Sequence, residues 1–441
     1  MMLFSDFSGP WGISSDYGWF HVYAFTMMFG MALAVFASWY KFHRAEIPAD
    51  GLAWSVIFII PASLFGASWF AKNDPLAPIG FWEKFAFWNP GLSIHGGVLF
   101  GSIAGLIFFG FYKKKTKISL FTYADLIIPN VLLGQVVGRW GNFFNHELLG
   151  EVVGLSPTLD GSAIAAINWL PAFIRDNCFK LVAGGPETLN GMYVFRAPIF
   201  LYESLANLGF WVILTFLLPQ TFHWFSKKPW QIEAQKYKLL TFTNVLDERI
   251  NQASTLTANK KASKHQNFNH KAMIFFDQSK SKTYRFNDKF NFIIKNPIKS
   301  LNLYSTLNSR NRKLKRKYWN QAFYFYKPNQ FVINKLNDDY QAKKITYHAR
   351  SKELYHLNNP KNYLVMRSGV QTWLYFFGWN LIRFCLELQR ADQNLFIVNR
   401  RALDYAVLIS IFVLGLIFAI LSQLVFAKYN RNSGWTYEKE Y

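Results

Sequence analysis

The chain has 441 residues, 51% of them hydrophobic and 19% aromatic, which is too apolar for an ordinary soluble domain of this length. Its formal charge of +22 points to nucleic acid only until the charge is located: residues 227–367 hold 29 Lys and Arg against 8 Asp and Glu, and the rest is nearly neutral. Two cysteines, Cys178 and Cys385, exclude a disulfide framework and a cysteine-rich metal cluster.

In chain order, hydropathy predicts an all-α polytopic membrane protein of seven transmembrane helices, with a small extracytoplasmic head and a long basic cytoplasmic insertion. Met1–Trp19 lacks the basic flank and small-residue cleavage site of a secretory leader. Spans one and two fit Phe20–Tyr40 and Leu52–Ala71, with Pro61 tolerable inside the second because neighbouring helices can satisfy the freed backbone group. Residues 73–94, rich in Pro and Trp, read as an interfacial arm. Span three fits His95–Tyr112 and stops at a lysine cluster, 113–117; its small residues allow close helix contact. Span four runs from Leu120 into Gly138-Arg-Trp-Gly-Asn-Phe-Phe-Asn-His-Glu-Leu-Leu-Gly150.

Residues 151–197, mixed and punctuated by Gly and Pro, read as the head. Span five fits Pro198–Leu218, the basic insertion occupies 226–367, and spans six and seven fit Ser368–Gln389 and Leu403–Ala427. The domains are thus 1–225, 226–367 and 368–441. With seven spans, all basic loops fall on one side, which the positive-inside rule makes cytoplasmic. An eight-span reading splits them.

Polar groups that hydrocarbon should exclude gather toward the opposite, outer side. Arg139, Asn142 and His146 stand at i, i+3 and i+7 and share a helical face. Arg383, Glu387 and Arg390 do the same on span six, where Glu387 neutralises one arginine and leaves a charge over. His95-Gly-Gly97 opens span three. Each alone reads equally as a snorkelling group, an interfacial histidine or a structural ion pair. Together, arginines and a histidine near one leaflet suggest a phosphate site, because guanidinium forks hold phosphate oxygens in bidentate fashion.

The run Gly138-Arg-x-Gly-Asn-Phe-Phe-Asn-x-Glu147-x-x-Gly150 resembles the signature of the prolipoprotein diacylglyceryl transferases. So do Tyr23, Ser93-Ile-His-Gly-Gly97, Arg196-x-Pro198 with Tyr202-Glu203, and Arg383-x-x-x-Glu387-x-x-Arg390. The resemblance implies a bacterial plasma-membrane enzyme, active toward the outer face, that moves the diacylglyceryl group of phosphatidylglycerol onto the lipobox cysteine of prolipoproteins and releases glycerol phosphate. It implies no cofactor and no metal. His95 corresponds to the family's proposed base, and Arg139 and Arg383 to groups that stabilise the departing phosphate. Tyr23, Asn142, Asn145, Glu147, Tyr202, Glu203 and Glu387 become substrate-binding candidates, and the head and the arm would meet the signal peptide.

The insertion departs from the family, which joins these spans by a short loop. It reads as a solvated segment held on anionic lipid, with aromatics among its basic residues leaving nucleic acid as an alternative. No nucleic-acid partner is expected, and the chain is read as a monomer among membrane lipids. Two rivals keep the same residues: an anionic-lipid or solute binding or transport protein that makes no bond, and a scaffold that displays the basic segment.

Overall fold

A run of about twenty apolar residues can satisfy its backbone groups away from water only by coiling into a helix, and the computed structural model of the chain is mostly helical. It describes residues 9–45, 47–72, 80–85, 94–116, 118–182, 185–242, 244–245, 248, 297–324, 329–390 and 400–430. Most of the predicted arm, 73–94, lies outside these. The chain separates into two compact units: Met1–Phe225 with Gln330–Leu357 and Leu364–Tyr441, and Ser226–Asn329 with Asn358–Tyr363.

In the first unit, α1 (Val22–Arg44), α2 (Asp50–Ala71) and α3 (Ile94–Thr116) are unbroken, and α2 runs straight through Pro61. Basic residues close α1 and α3, where the negative end of the helix dipole favours them. The expected fourth span is two helices, α4 (Leu120–Ile127) and α5 (Val131–Phe144), joined by a 3-10 turn at Ile128–Asn130. Pro129 accounts for the break through its missing N–H, which removes one helical hydrogen bond, while Ile128 before it keeps helical dihedrals, φ −60° and ψ −44°. Buried Asn130 repairs it. Its Nδ2 donates to the Leu126 carbonyl at 2.7 Å and to Ser38 Oγ at 3.0 Å, and its Oδ1 accepts from Trp211 Nε1 at 3.1 Å.

After the head come α6 (Ile199–Val212), a π-helical turn (Ile213–Leu217) and α7 (Leu218–Phe225). In the second unit α8 (Pro297–Trp319) carries the densest basic run and no acidic residue. The ammonium groups of Lys228 and Lys315 lie over the rings of Trp319 and Trp230, 5.2 Å and 5.6 Å from their centroids, within cation–π range. The first unit resumes with α9 (Gln330–Gln341), α10 (Tyr347–Asn358), α11 (Val370–Glu387) and α12 (Arg401–Leu421).

Among the described residues, six stretches are long and apolar enough to cross a membrane: Val22–Arg44, Asp50–Phe70, Gly96–Thr116, Leu120–Phe144, Ile199–Ile232 and Arg401–Phe426. The helix standing where the sixth of seven spans is expected, α11, is not among them. It has 18 residues and carries Gln371, Asn380, Arg383 and Glu387, all buried against neighbouring elements.

Two features fix the bundle around the later site. Gly30 and Gly134 let α1 and α5 touch: a Cβ on Gly30 would stand 2.8 Å from the Gly134 carbonyl oxygen. Gly30→Val is therefore expected to force the helices apart at a cost of ~1–3 kcal/mol, visible as a lower melting temperature in detergent. Second, the buried carboxylate of Asp125 on α4 accepts the backbone N–H groups of Gly369 and Thr372 at 2.7 and 2.8 Å and the Thr372 hydroxyl at 2.6 Å. It thereby caps the first turn of α11, where unpaired N–H groups favour an anion.

The head is a small three-stranded antiparallel sheet, in the order β1 (Val152–Ser156), β3 (Met192–Arg196), β2 (Thr188–Leu189). Its core joins Ile164, Ile167 and Phe195 to Phe143 and Phe200, so the signature run of α5 is packed into the head. Cys178 and Cys385 are both free, the first buried in this core.

Candidate active site

Five ionised side chains from α5, α6 and the end of α11 meet in one cluster. Arg139 Nη2 donates to Glu203 Oε1 at 2.6 Å. The other Glu203 oxygen accepts from Arg390 Nη2 at 3.0 Å and lies 3.5 Å from Arg383 Nη1. Arg383 Nη2 reaches Glu387 Oε1 at 3.0 Å, and Arg390 Nε stands 3.2 Å from Glu387 Oε2. Three guanidinium groups thus face two carboxylates, and one positive charge is left over.

Burial of ions is expensive unless they are paired, and the pairing here is dense. The side chains of Glu203, Glu387 and Arg390 are at most 1% exposed, whereas Arg139 and Arg383 keep 17% and 11%. The surplus charge is therefore presented by Arg139 and Arg383. A surplus guanidinium in a dry setting is a receptor for a phosphate-like anion.

Helical spacing brings Arg383, Glu387 and Arg390 together within α11 and just past its end. Position along the chain says nothing about Glu203, which comes from α6. Its carboxylate faces all three arginines, where a substrate contact is the sequence expectation. Arg390, grouped with Arg383 and Glu387 in the sequence but given no role there, belongs to the same cluster.

The signature run ends in a tight turn beside this cluster. α5 stops at Phe144, and His146 and Leu148 take left-handed backbone conformations, φ 51° and 55°. Such conformations cost on the order of 1–3 kcal/mol for residues with a side chain and persist where surroundings enforce them. Here the Leu148 carbonyl accepts the Phe200 N–H at 3.1 Å and the Gly150 N–H donates to the Ala197 carbonyl at 2.8 Å. Arg196 donates to the Gly150 carbonyl at 3.1 Å and holds both Glu187 oxygens at 2.8 Å. That pairing keeps the Glu187 carboxyl below its ordinary range. The turn leaves Glu147 exposed, with Asn142 Nδ2 donating to it at 3.3 Å and its own N–H bonded to the Asn142 carbonyl at 2.8 Å. Tyr23 on α1 lies against Gly141, where a Cβ would stand 3.0 Å from its ring.

His146 does not share a face with Arg139 and Asn142, contrary to the i, i+7 expectation. The helix ends before it, and the left-handed turn buries its ring in the head, stacked 4.4 Å from Phe179 with Nδ1 3.2 Å from the Asn177 carbonyl. Burial pushes the imidazole down from 6.5 to about 4. The folded head thus holds the neutral ring. Its contribution to stability is complete above pH 6.5 and is lost as pH falls through 6.5 toward 4. The melting temperature should accordingly fall between pH 7.5 and 5, and His146→Phe should flatten that fall.

Among the other expected site residues, Asn145 caps the end of α5 half-buried, and Tyr202 is half-buried beside Glu203. No hydrogen bond joins either side chain to the arginine cluster among the described residues. His95 falls in the first turn of α3, but its side chain lies outside the described residues.

Fold and cluster together define a polytopic membrane protein that gathers arginines from separate helices into one anion-receptive site. Residues 17–235 match the family model described as prolipoprotein diacylglyceryl transferase. Phosphatidylglycerol--prolipoprotein diacylglyceryl transferase of Streptococcus suis (strain 05ZYH33) is 34% identical over 199 residues, 43% of this chain and 63% of that protein. The proteins of the same name from Streptococcus equi subsp. zooepidemicus (strain MGCS10565) and Streptococcus uberis are 33% and 32% identical, over 44% and 45% of this chain and 66% and 68% of theirs. The chain thus spans just under two thirds of the first relatives it matches, and somewhat more of the last. The chain belongs to the prolipoprotein diacylglyceryl transferase family.

Proposed function

We propose that this chain transfers the diacylglyceryl group of phosphatidylglycerol to the lipobox cysteine thiol of prolipoproteins. The observation that carries the reading is the surplus positive charge at Arg139 and Arg383, held rigid by two buried carboxylates. In this reaction negative charge grows on a departing phosphate, and guanidinium groups already in place stabilise it without reorganising. A thiol of pKa near ~8.5 needs a base to become a nucleophile. That role goes to His95, on the strength of the family resemblance. The thiolate attacks the diacylglyceryl carbon bonded to the phosphate oxygen. A C–S bond forms, the C–O bond breaks, and glycerol phosphate leaves with the electron pair.

Asn142 and Glu147, linked to each other beside the cluster, would position the headgroup together with Tyr23, Asn145 and Tyr202. Glu203 and Glu387 would fix the arginines. With α11 counted as a seventh span, the basic loops support a reading in which this end of the bundle faces outward in the bacterial plasma membrane, and the chain is read as a monomer. The head 151–197 and the arm 73–94 meet the signal peptide, while the insertion 226–367 lies on the cytoplasmic side and takes no part in the chemistry.

The test uses the purified full chain, labelled phosphatidylglycerol and lipobox peptides carrying cysteine or serine. Thioether-linked label on the cysteine peptide alone is expected, together with its loss in His95→Ala. Transfer to the serine peptide, or lipid binding with no transfer, would overturn the proposal.

A further inference from the structure

One helical turn inward from the arginine cluster, each of the three helices carries a buried polar atom that has no hydrogen-bond partner among the described residues. Gln135 precedes Arg139 by four residues on α5, and Trp379 precedes Arg383 by four on α11. On α6, Asn207 follows Glu203 by four. Four residues advance a helix by ~6 Å and return to nearly the same face. Ser204 Oγ donates to the Val136 carbonyl at 3.0 Å and Gln135 Nε2 donates to the Tyr375 hydroxyl at 3.3 Å, holding α6 and α11 against α5 near this level.

Asn207 is 0% exposed, and neither its Oδ1 nor its Nδ2 is bonded. Gln135 Oε1 and Trp379 Nε1 are buried and unbonded as well. Buried polar groups are nearly always paired, so three of them, each one helical turn from the arginine cluster, call for an explanation. Together they offer two acceptors, Asn207 Oδ1 and Gln135 Oε1, and two donors, Asn207 Nδ2 and Trp379 Nε1. A vicinal diol is their complement, with two O–H donors and two accepting oxygens. An ammonium headgroup has donors only, and a trimethylammonium headgroup has neither.

We infer that Asn207, Gln135 and Trp379 form a subsite for the hydroxyls of a glycerol headgroup whose phosphate lies on Arg139 and Arg383. The inference rests on the proposed reaction and adds to it the basis for choosing among phospholipid donors. A site that bonds a hydroxyl rejects an analogue lacking it, because the buried partners are then left unpaired. The arginines alone would accept any phosphodiester.

The test compares phosphatidylglycerol with phosphatidyl-n-propanol, which keeps three headgroup carbons and lacks both hydroxyls. With the full chain and a lipobox peptide, wild type should prefer phosphatidylglycerol by at least ~100-fold in kcat/KM. Asn207→Leu should cut that preference to within ~10-fold, through loss on phosphatidylglycerol and a change of less than ~3-fold on the propanol lipid. Equal use of both lipids by wild type would overturn the subsite, as would an Asn207→Leu variant that slows both alike or neither. Should Asn207→Leu fail to fold, Gln135→Met and Trp379→Phe face the same comparison: a reduced preference supports the subsite and an unchanged one overturns it. If wild type transfers from neither lipid, the transferase reading falls instead. The subsite is then judged by binding, through retention of phosphatidylglycerol over phosphatidyl-n-propanol in native mass spectrometry: selective retention supports it and equal retention overturns it.

Discussion

Arg139→Ala is expected to lower kcat of the transfer reaction by about 10²–10³-fold, the loss seen when one donor to a developing anion is removed. Folding should survive, because Glu203 keeps Arg390 and Arg383 as partners when Arg139 is gone. The effect should fall on kcat more than on KM, since the charge that Arg139 meets grows as the phosphate departs. Arg139→Lys should recover only part of the rate, because an ammonium does not reproduce the planar fork that holds Glu203 while facing phosphate. Single-turnover transfer measured beside a melting curve checks both halves. A transfer rate lowered by about 10²–10³-fold with an unchanged melting temperature is the expected pair.

Glu203→Gln should do the opposite and damage the fold before the chemistry. It leaves three buried or half-buried guanidinium groups facing Glu387 alone, and breaking a buried ion pair from one side typically costs ~3–5 kcal/mol. The expected result is a large drop in melting temperature or in yield of folded protein. Removing one of the stranded charges should help: Glu203→Gln with Arg390→Gln should be more stable than Glu203→Gln alone. A double-mutant cycle on thermal stability measures that coupling. Additive losses would mean that Glu203 and Arg390 do not act as a pair.

Parts of this design are legible in the sequence for physical reasons. Apolar runs near twenty residues announce helices wherever they occur, and α1, α2, α3 and α12 stand close to their expected places. Arg139 and Arg383 stand out because an arginine in hydrocarbon demands a reason. The break at Pro129 is masked by the apolar run around it, since hydropathy counts a proline without registering the hydrogen bond that its missing N–H removes.

What the sequence hides is partnership between helices. Glu203 stands 64 residues from Arg139 and 187 from Arg390, and no local pattern says which carboxylate will meet which guanidinium. His146 looks like a site residue only while helical spacing is carried two residues too far. The left-handed turn after Phe144 sends it into the head. Asn207 is, in sequence, one polar residue near the start of span five. It gains meaning when Gln135 and Trp379 stand one turn from the same arginine cluster on two other helices, each with an unbonded buried atom.

The Asp125 clasp on the first turn of α11 bears on how this chain tolerates its own length. Some 140 residues separate α7 from α11 in the sequence. Closing so long a loop sounds ruinous, yet each doubling of length costs only ~0.6 kcal/mol, so stretching a twenty-residue connection to this size costs roughly 1.7 kcal/mol. Three bonds to one buried carboxylate, each contributing ~1.5–3 kcal/mol net, exceed that penalty. Docking of α11 is therefore governed by what it grips and hardly at all by the path the chain takes to reach it. Length in the connection thus weighs little on the docking of α11.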